Sequence, residues 1–121
     1  MRIALVHENI EYRKQFALNY LGKSNSIILL DPKLDLPEMV NGVRHSGGLD
    51  LAIVSIGREN PFALDHSMAL RNAYQNAWII AVEPKLGVRT CSVFEATFGG
   101  INLIYTEAYI LNHLNELPDL K

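Results

Sequence analysis

Residues 51–56 (Leu-Ala-Ile-Val-Ser-Ile) are apolar and largely β-branched, interrupted only by Ser55, and Gly57 closes the run. A short run that does not alternate with polar residues, followed by turn formers, reads as a strand buried on both faces. Strands of that kind belong to parallel sheets covered by helices. Ser55 falls near the carboxyl end of this strand, where open α/β sheets place their ligands and chemistry. What a serine does there is the central question of the chain.

The rest of the sequence supplies the partners such a strand needs. Arg2–Val6 predicts a first strand ending in the polar group His7-Glu8-Asn9. Asn9 fits a helix N-cap, and 10–21 then carries Phe16, Ala17, Tyr20 and Leu21 at helical spacing up to Gly22. Ser26–Leu30 predicts the second strand, stopped by Asp31-Pro32. Leu36-Pro37 opens a second helix with Met39, Val40 and Val43 inward, closed by Gly47-Gly48. Asn60-Pro61 opens a third, with Phe62, Leu64, Met68, Ala69 and Ala73 as its apolar side. A fourth strand over 77–82 ends at Glu83-Pro84, and a helix over 88–98 stops at Gly99-Gly100. A fifth strand covers 101–105. The final helix, 107–117, has Ala108, Ile110, Leu111, Leu114 and Leu117 as its expected buried stripe.

This strand–helix rhythm with short connections predicts an α/β fold: a flavodoxin-like, doubly wound parallel sheet of five strands in the order 2-1-3-4-5, helices on both faces. The chain has 121 residues, the size of one domain with a single core, and neither an internal repeat nor a linker divides it. The tail over 118–121 could lead into a further domain of a longer protein.

A net charge of −2 gives no electrostatic basis for direct binding to nucleic acid or an anionic membrane. No apolar run approaches the roughly 20 residues that span a bilayer. The first residues lead straight into a strand with none of the regions of a signal peptide, so the cytoplasm is the expected compartment. Cys91 is the single cysteine, which leaves no disulfide framework and no thiolate cluster. Loops that cradle phosphate are missing too. Residues 7–11 contain no glycine, and there is neither a Gly-x-Gly-x-x-Gly nor a Gly-Lys-Ser/Thr sequence.

The residues at the strand ends carry a family resemblance. Arg-Ile-Ala-Leu-Val followed by His7-Glu8 resembles the first strand and acidic pair of receiver domains, the phospho-accepting modules of two-component response regulators. Asp50-Leu51-Ala52-Ile53-Val54-Ser55-Ile56, with Pro61 beyond it, resembles their third strand, with Ser55 at the position of the phosphorylated aspartate. Trp78-Ile79-Ile80-Ala81-Val82-Glu83 resembles the fourth strand, which usually ends in threonine or serine. Ala96-Thr97-Phe98-Gly99-Gly100 resembles the small-residue end of the fourth helix, and Leu103-Ile104-Tyr105-Thr106-Glu107 the fifth strand before an expected Lys-Pro. The resemblance covers the whole chain in order and spacing, by pattern more than identity.

The departures bear on function. The family's chemistry, as the resemblance implies it, needs an aspartate nucleophile, a magnesium ion held by an octahedron of oxygens, a hydroxyl and a lysine. Here the first acidic position is His7 and the second Glu8. The acceptor is Ser55, a poor nucleophile without an adjacent base. The hydroxyl position holds Glu83, and the lysine position falls on Thr106 or, in the other register, Glu107. Five simultaneous changes argue against aspartyl phosphorylation. The expectation is a pseudo-receiver acting through protein–protein contact or self-association, with no catalysis, no cofactor and no resident metal.

Two other uses of the same pocket follow from its residue types. His7, Glu8 and Glu83 could form a small metal or ligand-sensing site, since imidazole and carboxylates suit zinc, iron or manganese. Ser55 or a nearby acid could instead accept phosphate in an unusual receiver, with Lys85 standing in for the missing lysine. Arg58, Glu59 and Asn60 would form the loop after Ser55. For partner binding or homodimerisation, the surface of the 88–98 helix, fifth strand and last helix is where receivers usually signal. It carries Tyr105, Tyr109 and His113, the last two four residues apart on one helix face. The strand-five aromatic that reports phosphorylation in the family has Leu103 or Ile104 nearest its position, so that relay is expected to be absent.

Overall fold

The structure is a computed structural model that describes residues 2–20, 26–56, 63–84 and 100–113. Five strands, β1 (Arg2–Val6), β2 (Ser26–Leu30), β3 (Leu51–Ser55), β4 (Trp78–Glu83) and β5 (Leu103–Thr106), form one sheet in the order β2-β1-β3-β4-β5. Every neighbouring pair is parallel. The helices are α1 (Ile10–Tyr20), α2 (Leu36–His45), α3 (Ala63–Ala73) and α4 (Glu107–Asn112). This is the topology expected from the strand–helix rhythm. The helix expected over 88–98 lies outside the described residues, as do Lys85, Cys91, the 57–62 loop and residues 114–121.

The central strand is buried along its whole length, as its unbroken apolar run requires. Its side chains alternate between two cores. Leu51 and Ile53 join Ile3, Leu5, Ile80 and Val82 on one face, under Tyr12 and Phe16 of α1 and Ile110 of α4. Ala52 and Val54 join Ala4, Val6, Ile79 and Ala81 on the other, under Met39 and Val43 of α2 and Ala63 and Leu70 of α3. Helices therefore cover both faces, and the strand ends open along one rim.

Local chemistry fixes the helix starts. Asn9 Oδ1 accepts the backbone N–H groups of Glu11 (2.9 Å) and Tyr12 (3.1 Å), capping α1 as its position predicts. Asp35 caps α2 through the N–H of Glu38 at 2.8 Å, with Pro37 in the first turn. At the far end of α2, Gly47 and Gly48 take φ of 105° and 114°, the left-handed region that lets the chain reverse into β3. Arg2 then clasps that turn. Its backbone N–H and Nε donate to Asp50 Oδ2 at 2.7 and 3.2 Å, Nη2 donates to Oδ1, and Nη1 reaches the Gly47 carbonyl.

Three details differ from the sequence expectation. The buried stripe of α3 is Ala63, His66, Ser67 and Leu70, while Met68 is 45% exposed and Ala73 lies in solvent. An apolar-only reading of that helix passes over the two polar residues that share its inner face. Ala108 of α4 is exposed, and only Ile110 there is fully buried. Finally, β4 and β5 end one residue later than expected, at Glu83 and Thr106, which pair directly across the sheet. That register puts both residues at the rim.

Candidate functional site

The rim gathers the ends of β1, β3, β4 and β5. His7 follows β1 and extends its ladder, donating its backbone N–H to the Leu30 carbonyl at 3.2 Å. Its side chain is 1% exposed. A buried imidazole needs partners for both nitrogens, and His7 has them. The backbone N–H of Asn9 donates to Nδ1 at 2.9 Å, which makes Nδ1 an acceptor. The ring hydrogen then sits on Nε2 and is donated to Glu107 Oε1 at 2.7 Å.

Two further contacts close this group. The ring of Tyr12 stacks on that of His7, with centroids 4.4 Å apart and planes at 20°. The Tyr12 hydroxyl donates to the backbone carbonyl of Glu107 at 3.0 Å. His7, Tyr12 and Glu107 thus form a closed triangle joining β1, α1 and the first residue of α4. Tyr12 stands four residues before Phe16 on the inner face of α1, a spacing visible in the sequence. The acid at 107 had no such marker, because its partner lies 100 residues away.

The other expected site residues are placed as follows. Ser55 is fully buried at the end of β3, paired with Val82. Glu83 is fully buried at the end of β4, beside Thr106. Thr106 caps α4, its Oγ1 accepting the Tyr109 N–H at 3.2 Å, so its hydroxyl is committed to the helix start. Glu8 is partly buried, and its Oε2 has no hydrogen-bond partner; it lies 3.8 Å from His7 Nδ1. Among the described residues, the three metal-ligating side chains that converge are His7, Glu8 and Glu107, with one donor atom each inside 4.8 Å. Glu83 is not in that group.

Next to the rim, Tyr105, Tyr109 and His113 stack as a ladder. The centroids of Tyr105 and Tyr109 are 4.5 Å apart at 16°, and those of Tyr109 and His113 are 4.0 Å apart at 13°. Tyr109 remains 37% exposed. Among the described residues no helix is long and apolar enough to cross a membrane.

No family model matches the chain, and no curated protein does. Solved structures do. A response regulator from Thermotoga maritima superposes with a TM-score of 0.73 at 14% identity, over 98% of this chain and 93% of that one. The signal receiver domain of a modulated diguanylate cyclase from Desulfovibrio desulfuricans G20 gives 0.71 at 12% identity, over 98% and 90%. A CheY-like protein (tadZ) from Pseudomonas aeruginosa PAO1 gives 0.71 at 14%, over 97% and 89%.

The chain has the receiver fold. At these identities the likeness establishes architecture, and the chemistry must be judged from the rim itself. A receiver fold implies a magnesium ion there, and these residues do not fit one. Magnesium takes oxygen ligands in a near-ideal octahedron. His7 offers nitrogen, and both of its ring nitrogens are already engaged by Asn9 and Glu107. Among the described residues, those that end β1, β3, β4 and β5 include neither lysine nor arginine to meet a phosphate.

Proposed function

We propose that this chain is a pseudo-receiver, a receiver-fold signalling domain of the two-component type that acts by protein–protein contact without phosphorylation. One observation carries the reading: the His7 imidazole is buried and saturated by Asn9 and Glu107, so internal hydrogen bonds occupy the place of a cation site. Ser55, a neutral hydroxyl, stands where the nucleophile would be. Regulation then falls to partners that favour one conformer over another. The partner-facing surface is the Tyr105–Tyr109–His113 ladder on β5 and α4, used with another protein or a second copy of the chain. The reading includes no catalysis and places the domain in the cytoplasm. Incubation with acetyl phosphate and magnesium, followed by intact mass, tests it. An unmodified mass is expected, and a stoichiometric phosphate adduct would end the reading.

The unpaired Glu8 Oε2 favours one second reading, a sensor of a borderline metal ion. Nitrogen and carboxylate donors together suit zinc or manganese better than magnesium. Occupation would require His7 to release Asn9 or Glu107. Elemental analysis and thermal shift across divalent metals decide between the two, and a metal-specific rise in melting temperature would favour the sensor.

A further inference from the structure

We infer that Glu107 is a positioning residue: held by His7 and Tyr12 at the rim, it sets the pose of α4 and so presents the Tyr105–Tyr109–His113 ladder. The inference deepens the proposed function and rests on that reading's assignment of the ladder as the partner-facing surface.

Glu107 is tied through two different atoms to two different elements. Its carboxylate accepts from His7 Nε2 at 2.7 Å, and its backbone carbonyl accepts from the Tyr12 hydroxyl at 3.0 Å. The stack of Tyr12 on His7 braces the two donors against each other. The Asn9 N–H on Nδ1 keeps the imidazole hydrogen aimed at Glu107. On the side of the ladder, α4 spans only six residues, Glu107–Asn112. Isolated helices that short do not hold themselves, so tertiary tethers set their pose. Among the described residues the tethers include the Glu107 contacts, the Thr106 cap on the Tyr109 N–H, and Ile110 and Leu111 packed on the core. Two of them act on Glu107 or on the residue before it.

The ladder inherits that geometry. Tyr109 is the middle ring, bonded through its N–H to Thr106 and stacked on both neighbours. His113 Nδ1 lies 2.9 Å from the Tyr109 carbonyl. A shift of the first turn of α4 therefore moves Tyr109 against Tyr105, which β5 holds in the sheet. In this arrangement the face is set by contacts internal to the protein, and a ligand that captured His7 or Glu107 would be felt at the ladder.

The test uses the full chain with isotope-labelled tyrosine and histidine rings. In folded Glu107→Ala, the ring resonances of Tyr109 and His113 are expected to shift. The Tyr109 amide is expected to exchange about tenfold faster or more, the scale of one lost charge-assisted hydrogen bond. Glu107→Gln, which keeps an acceptor oxygen for Nε2–H, should restore most of both. Tyr12→Phe should give the same pattern at smaller amplitude. Should Glu107→Ala fail to fold, Tyr12→Phe carries the test. Ladder resonances and exchange unchanged in either folded variant would overturn the inference. A phosphate adduct on the wild-type chain would instead defeat the pseudo-receiver reading, with the ladder shifts still measured separately.

Discussion

His7 Nε2 and Glu107 Oε1 meet at 2.7 Å across the carboxyl rim of the sheet. An imidazole follows β1 where the receiver resemblance implies a first acid, and a carboxylate follows β5 near where it implies a lysine. The triangle with Tyr12 ties β1, α1 and the start of α4 together, and its members should behave as a unit.

His7→Ala leaves a partly buried carboxylate oxygen and the Asn9 N–H without their partner, and a cavity where the buried ring was. A loss of about 1–3 kcal/mol is expected from the lost hydrogen bonds and packing. Urea denaturation of His7→Ala, Glu107→Ala and the double variant checks it. Because the residues touch, the two losses should fall short of additivity by at least about 0.5 kcal/mol. Additive losses would mean that the contact contributes nothing to stability.

Ser55→Asp places a carboxylate at the end of β3. Position 55 is fully buried and Glu83 is buried at the end of the next strand, so a second carboxylate meets an unfavourable site. The variant should be less stable than wild type and should still give no phosphate adduct with acetyl phosphate and magnesium. A gain of magnesium-dependent phosphorylation from this one change would show that the remaining rim is competent.

Most of the architecture was legible because its signals are local. Strand runs such as Leu51–Ser55, the Asn9 cap and the Gly47-Gly48 stop each lie within a few residues, and the parallel order follows from their alternation. What stayed hidden depends on pairing across the fold. Glu107 stands in the sequence as the first residue of a helix and an alternative register for a lysine position, and nothing near it in the chain points to His7. The inner face of α3 is hidden for a related reason. His66 and Ser67 are buried there through tertiary packing, with Ser67 Oγ returning its hydrogen bond to the Ala63 carbonyl at 2.9 Å, whereas Met68 looks like core and is not.

The amino end of the sheet offers a control for effects at the rim. Arg71 donates from Nη1 to the carbonyls of Gln75 (2.8 Å) and Ala77 (2.7 Å), and from Nη2 to the Gly100 carbonyl (3.0 Å) and Asn102 Oδ1 (2.7 Å). It thereby joins α3 to the starts of β4 and β5. Gly100 sits at φ 82°, and a Cβ there would stand 2.8 Å from Arg71 Cβ. Gly100→Ala should cost about 1–3 kcal/mol from backbone strain. Thermal unfolding measures the loss, and the Tyr109 and His113 resonances should not move.

Acid should weaken the fold in two steps. Burial pushes the His66 imidazole below its ordinary value, and its Nδ1 has no hydrogen-bond partner. As pH falls through about 6.5, the unfolded chain takes up a proton that the folded chain resists, so stability drops toward the lower folded value. The Asp50 carboxyl is held below its ordinary value by hydrogen bonds from the Arg2 side chain and backbone. Its contribution is full above about 3.9 and is lost only as pH falls through the still lower folded value. Unfolding free energy measured across this range should show the upper step in wild type and not in His66→Leu. It should show the lower step in both and not in Asp50→Asn. An upper step that survives His66→Leu would assign it to another group.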